Sequence, residues 1–551
     1  MKVVTGPLAR FIIAIAVPVI TVLTWFSGTD PVNLPKAVLL ACIGTALFGL
    51  LVWNFLSIPK PIGFGVLLFW LSFLPPLLLS GAPIEQQLFG VYGRNTGLIT
   101  YLSLSIVFLA TVRFANKDLA KKLVMGLMVA GSVNLIISIF QINQIELLNY
   151  KNTYKNALGT FGNPNFVSAF LAMASAVPFS FVLNKSIAIK VRVFSLIYLI
   201  LTLLVIIKSD ALQGLFVFFG ILFLAILIQL HYSEKKALKL ALISSGALGG
   251  LTSILGFIGI GPLSQILNQT TVKLRGEYWQ AGINMFEKNL FSGVGLNSYG
   301  DWYRQVREPS SLVLPGVNTV TSSSHNVFID FAATGGIAHI AAYLILIAFV
   351  ITSIVKQLKI DKIPNPIFSS LALAWIGYVV QSIVSIDQIG LSIWGWALGG
   401  ILIAYPNFEN EVKQLSRNSQ IRKSSIKIEQ FVVPTMVATL LFFLGGSSYL
   451  KTLQSDLNWR KNFSTKSVEA LMQTASGRPL IEGRLLSASE VLRNNGFHKE
   501  ALELAQMAIE YKERSYYGWL EIYKNESASA ELIRTAKKNL LLLDPLNNEN
   551  K

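Results

Sequence analysis

The residues best suited to chemistry fall in one stretch, "TSSSHNVFIDFAATGGIAHIAAY", Thr321–Tyr343. Three serines, His325 and Asn326 lead straight into an apolar run. Imidazole titrates near neutral pH (about 6.5), so a histidine at the mouth of a helix can take or orient a proton. A lone interfacial histidine more often packs or caps, and that reading stands beside the catalytic one. Ser322, Ser323 and Ser324 are placed to cap the first helical turn. On a straight helix Phe328, Ile329, Ala332, Gly336 and His339 follow His325 along one face. His339 then lies about 21 Å deeper at 1.5 Å per residue and is assigned to packing. Gly335 and Gly336 permit close approach of a neighbouring helix.

A second group of residues is cationic. "TVKLRGEYWQAGINMFEKNLFSGVGLNSYGDWYRQVRE" precedes the histidine and carries Lys273, Arg275, Arg304 and Arg307. Residues 271–287 have helical spacing, with Arg275, Tyr278, Trp279 and Gly282 on one side. Arginine suits bidentate contact with phosphate, although any single loop arginine is more often a solvated charge. Three shorter stretches add polar groups. They are "GVYGRNTG" with Arg94, "GTFGNPNFVSAF" with Asn163 and Asn165, and "KSDALQG" with Lys208, Asp210 and Gln213. Each could be a plain turn, since Gly, Asn and Pro favour turns. Together they would ring one cavity.

The elements that position these residues are membrane helices. The chain has 551 residues, 53% hydrophobic and 14% charged. Thirteen apolar runs are expected to span, near 11–27, 37–55, 62–80, 97–112, 123–142, 165–184, 193–207, 211–230, 240–258, 325–355, 366–384, 389–405 and 431–449. The first reads as a retained span and not a cleaved leader. Lys and Arg concentrate in alternate connections: the short loops on one side hold only Lys36, Arg94, Lys151, Lys155 and Lys208, whereas the other side is densely basic throughout, including the 412–428 loop. This puts the N-terminus in the cytoplasm, and the 259–324 segment, His325 and the tail outside. The net charge of +17 is therefore read as loop sorting, not nucleic-acid binding. Cys42, the only cysteine, rules out an intrachain disulfide. No phosphate-binding loop or zinc motif occurs, and no metal or cofactor is expected. Residues 1–450 form the membrane domain and 451–551 a soluble helical tail. There "KEALELAQMAIEYKERSYYGWLEIYKN" has the pattern of a tetratricopeptide-like hairpin, with a plain helical bundle as the alternative.

The run "SHNVFIDFAATGG" resembles the histidine motif of the O-antigen ligase, O-antigen polymerase and protein O-oligosaccharyltransferase superfamily. "R…YWQAGINMFEKNLFSGVGLNSY" resembles the stretch before it, and "GTFGNPNFVSAFLA" and "YGRNTGLITYL" resemble earlier membrane segments, so the likeness spans about 85–405. The resemblance implies an all-α, multi-pass bacterial plasma-membrane glycosyltransferase, inverting and metal-independent. It implies transfer of glycan from a polyprenyl-diphosphate carrier to a hydroxyl of a glycan, lipid or protein. His325 takes the place of the family histidine and Arg275 that of its loop arginine. A further family arginine is absent from "KSDALQG", where Lys208 or Gln213 would stand in, and Asp387 matches a late acidic residue. Asn326 would hold a sugar hydroxyl or position the imidazole, and transfer should fall as pH drops through about 6.5. A transporter or flippase is the competing reading, with a membrane-anchored assembly protein the third. The tail is a surface for an envelope partner.

Overall fold

Backbone amides in a bilayer must bond within their own segment, so long apolar runs have helix as their outlet. The computed structural model describes residues 5–52, 57–150, 152, 155–261, 263–267, 270–408, 429–463 and 467–547. It is 75% helix, with no strand among the described residues. Ten helices are long and apolar enough to cross a membrane, and two shorter apolar helices, Leu98–Phe114 and Pro366–Ser382, lie among them. Each of the thirteen expected runs overlaps a helix. The ninth falls on Lys236–Phe257, which is not one of those twelve. The basic loop expected at 412–428 lies outside the described residues.

Burial sorts the helices. Ile389–Ala404 runs through the middle of the bundle, and Trp394 there is fully buried, its Nε1 donating to Thr21 Oγ1 at 2.8 Å. The peripheral helices turn large apolar side chains outward: Phe194, Phe11 and Phe216 are all exposed. An exposed apolar belt is what a lipid-facing surface requires, because lipid tails solvate such side chains as well as a protein core does.

The tail does not start where the composition changes. The last apolar helix runs unbroken over Glu429–Asn462, so the expected border at 450/451 falls inside it. Five helices follow, Val468–Ala475, Glu482–Asn494, His498–Tyr511, Tyr516–Tyr523 and Ala530–Leu543, each packed on the next. The two helices expected in the tail's apolar-patterned stretch are His498–Tyr511 and Tyr516–Tyr523.

Two buried carboxylates fasten this tail to the bundle. Asp456, fully buried, accepts from Thr29 N at 2.7 Å, from Arg484 Nη2 at 2.9 Å and from the Tyr92 hydroxyl. Asp544, also fully buried, accepts from Arg307 Nη2 at 2.8 Å and Arg304 Nη1 at 2.9 Å. Arg304 also donates to the Tyr517 hydroxyl at 2.9 Å, and both arginines donate to the Val317 carbonyl. Two arginines read from sequence as donor contacts are thus engaged at the tail seam. Removing one partner of a buried ion pair strands the other charge at a cost of about 3–5 kcal/mol. Asp544→Ala should therefore release the C-terminal helices to limited proteolysis while the membrane bundle resists. An unchanged digestion pattern would show that the seam is held by something else.

Candidate active site

The connections that the charge alternation places on one side all meet at one end of the bundle. Asn33 Nδ2 donates to the Gly93 carbonyl at 2.6 Å, and Gln388 Nε2 to Asn33 Oδ1 at 2.9 Å. Lys36 Nζ, fully buried, donates to the Thr160 carbonyl at 2.6 Å, and Asn156 Nδ2 to the Ser209 carbonyl at 2.8 Å. Arg275 Nε donates to the Val384 carbonyl at 3.0 Å, and Gln86 Nε2 to the Asn297 carbonyl at 3.1 Å. A charged knot lies among these bonds. Arg94 donates to the Ser322 carbonyl at 2.6 Å and its Nη2 lies 3.9 Å from Asp330 Oδ2. Asp330 accepts from Ser323 Oγ at 2.6 Å and Ser324 N at 2.7 Å.

His325 sits on this knot in a left-handed turn, with φ 57°. Its amide donates to Ser323 Oγ at 3.0 Å. The helix is capped beyond the serines expected to do so, two residues after Ser324: Asn326 Oδ1 accepts from Phe328 N at 2.9 Å and Ile329 N at 3.2 Å. The serines instead brace the turn, and the Asn326 side-chain oxygen read from sequence as a sugar contact is the cap. The imidazole stacks on Tyr278, centroids 5.5 Å apart. Gly282 makes that possible, because a Cβ there would stand 2.5 Å from Ile329 Cγ2. Burial lowers the His325 pKa to about 4. Asp330 opposes the shift, while Arg275 and Arg94 reinforce it. The ring is therefore neutral at neutral pH. Burial likewise lowers the pKa of Arg275.

A cavity of about 30 Å³ opens beside the knot, walled by Arg94, Tyr101, Asp330, His339 and Asp387 among others. Asp387 accepts from the Tyr101 hydroxyl at 3.2 Å, from the Tyr378 hydroxyl at 3.4 Å and from Ser392. Burial pushes its carboxyl up to about 6, against those three bonds. His325 is not among the cavity walls, but Asp330 and Arg94 face both.

His339 is packed as expected, among Phe69, Phe73 and Phe331, with Nδ1 2.8 Å from Ser72 Oγ. Its depth is not as expected. The helix breaks at Gly336, where φ is 76° and ψ −173°. The 290–295 segment fills the break. Val294 N donates to the Ala333 carbonyl at 2.9 Å, Gly295 N to the Thr334 carbonyl at 3.1 Å, and Ile337 N to the Leu290 carbonyl at 2.8 Å. The straight-helix measure from His325 to His339 therefore fails, and His339 reaches the cavity.

The other sequence candidates lie apart from the cavity walls. Asn163 caps the Pro164–Ala174 helix by accepting from Asn165 N, and Asn165 is exposed. Gln213 donates to Gln381 at 3.3 Å between two helices, and Lys208 is exposed at a helix end. Sequence reasoning passed over Asp330, although a lone acid inside an apolar run is itself a signal. It also passed over Tyr278 as the platform for His325 and Tyr101 as a partner of Asp387. These had no local mark, since their partners are distant in sequence.

No family model matches the chain, and no curated protein sequence matches it.

Gly336 offers a direct test of the helix break. A Cβ there would meet the Phe291 carbonyl oxygen at 2.5 Å, in a backbone region that only glycine enters freely. Gly336→Ala should lower stability by at least about 2 kcal/mol in thermal unfolding of detergent-purified protein. Gly250→Ala, in a helix with nothing within 4 Å of the added Cβ, should not. Equal melting of the two variants would mean that the helix runs straight.

Proposed function

We propose that this chain is a membrane glycosyltransferase that moves glycan from a polyprenyl-diphosphate donor to an acceptor hydroxyl, in the manner of O-antigen ligases and polymerases. The observation that carries the reading is a neutral, half-buried His325 with the guanidiniums of Arg275 and Arg94 at the polar end of an apolar bundle. A lipid-borne pyrophosphate and a water-borne hydroxyl meet at such a boundary. The bond between the anomeric carbon and the diphosphate oxygen breaks and its electron pair leaves with the diphosphate, whose charge Arg275 stabilises. The acceptor oxygen bonds the anomeric carbon from the opposite face, which inverts the configuration, and its proton passes to the His325 imidazole. Arg94, held against Asp330, sets the far edge of the site.

In this reading the membrane is the bacterial plasma membrane, the N-terminus is cytoplasmic, and the site and tail are extracytoplasmic. The meeting of alternate connections at one end supports thirteen crossings, with Lys236–Phe257 among them. The packed hairpins of the tail support a repeat-like scaffold for partner binding. A flippase would carry its polar groups along the bundle near mid-bilayer. Here they gather at one end.

His325→Ala should reduce transfer about 10²–10⁴-fold. His231→Ala, exposed at a helix end, should leave it intact. Arg275→Ala should cost about 1.5–3 kcal/mol, roughly one to two decades in rate, with partial recovery in Arg275→Lys. Near-normal transfer by His325→Ala at matched protein level would remove the histidine from catalysis.

The pH profile gives a separate reading. Only neutral imidazole accepts a proton, and a lowered pKa keeps it neutral into acid. Activity should therefore hold below the ordinary histidine value and fall only as pH nears about 4. This replaces the fall near 6.5 expected from an unperturbed ring. A half-loss near 6.5 would contradict the desolvated setting of the His325 ring.

A further inference from the structure

The geometry points to a groove between the tail and the bundle, leading into the catalytic end, that binds the hydroxyl-rich, uncharged sugar portion of the acceptor; this rests on the transferase reading above. The groove encloses about 260 Å³, near the lower end of small-molecule pockets. One wall is the 85–95 segment of the membrane domain, and the other is Pro479–Gly483 with Tyr511 and Lys512 of the tail. Asn297 and Ser322 line both this groove and the small cavity beside Asp330. Asn95 of the groove is the chain neighbour of Arg94, so the two spaces adjoin at the Arg94–Ser322 bond.

Two buried polar atoms, each on a residue that lines the groove, have no hydrogen-bond partner among the described residues. They are Asn95 Oδ1, on a residue 2% exposed, and Thr452 Oγ1, on a residue 4% exposed. Buried polar atoms left unpaired are costly, so such atoms mark where a ligand supplies the bond. Amide oxygen accepts only, and a hydroxyl can accept, so the complementary ligand carries donors. Phe89, Tyr92 and Tyr511 also line the groove, and aromatic side chains suit the C–H faces of a sugar.

The charge of the groove separates acceptor from donor. Glu85, Asp301 and Glu482 line it with Lys512 as the single cation. Lys512 Nζ donates to Asp301 Oδ1 at 2.8 Å and to Glu482, and Arg478 reaches Glu85 at 3.6 Å. Carboxylates with unused lone pairs accept sugar hydroxyls and repel a diphosphate. The anionic donor is thus directed to the arginine side and the neutral glycan to the tail side.

Gly483 permits a clean block. It is exposed, lines the groove, and has nothing within 4 Å of an added Cβ. The probe is a size-sorted set of neutral oligosaccharides released from the host envelope and labelled at the reducing end. Binding to full-length protein in nanodiscs is read by fluorescence anisotropy, and release of polyprenyl diphosphate from a lipid-linked donor is read in parallel. Wild type should bind the probe. Gly483→Trp should abolish binding, Thr452→Val should weaken it about threefold to tenfold, and Arg275→Ala should bind as wild type. Uronate-bearing oligosaccharides should bind less well. Unchanged binding by Gly483→Trp and Thr452→Val, or no binding by wild type, overturns the groove whatever the donor assay gives. Groove-dependent binding without donor turnover would instead uphold the groove and overturn the transferase reading.

Discussion

The arrangement depends on one ion pair in a place that charges avoid. Asp330 sits in the first turn of a membrane-length helix, and Arg94 approaches it from a connection far away in sequence. At 3.9 Å the Coulomb term alone is modest, about 4 kcal/mol at an effective dielectric near 20. Desolvation offsets much of that. The carboxylate has further partners, Ser323 and Ser324, that complete its shell. Those serines sit just before the left-handed residue His325. The same carboxylate therefore satisfies Arg94, fixes the turn that presents the imidazole, and opposes the acidifying effect of burial on that ring.

From that knot the surrounding features follow in order. The turn must lie against a neighbour, and Gly282 lets the Thr270–Lys288 helix come close enough to stack Tyr278 on His325. The helix beyond must accommodate the 290–295 segment, and the break at Gly336 receives it with three backbone hydrogen bonds across the gap. The tail must then close over the segment that carries these residues, and Asp544 and Asp456 hold it there. Two local irregularities, φ of +57° at His325 and +76° at Gly336, bracket the helical turns that carry Asp330. Strain of that kind persists where surrounding bonds determine it, often at functional sites.

Much of the helical layout was legible in the sequence, because bilayer thickness sets a length that apolar runs either reach or miss. The residues singled out for chemistry, His325 and several arginines, were read on the side whose connections meet at one end of the bundle. What could not be read was pairing. Arg304 and Arg307 look the same in sequence as Arg275, yet their partner is Asp544 in the tail, which no spacing rule connects to them. Gly335-Gly336 correctly signalled close approach, but a loop and not a neighbouring helix fills the space at Gly336. The helix that crosses the expected domain border is a related case. Composition turns polar near 450, while helical continuity persists to Asn462.

Reconstitution separates glycan transfer from transport in a single experiment. Purified protein in lipid vesicles would be given a polyprenyl-diphosphate-linked glycan and a hydroxyl acceptor extract in the presence of EDTA, and the new glycosidic bond examined by NMR. One polyprenyl diphosphate should be released per bond formed, with anomeric configuration opposite to that of the donor. Donor that stays intact, or appears across the vesicle membrane unaltered, would contradict glycan transfer.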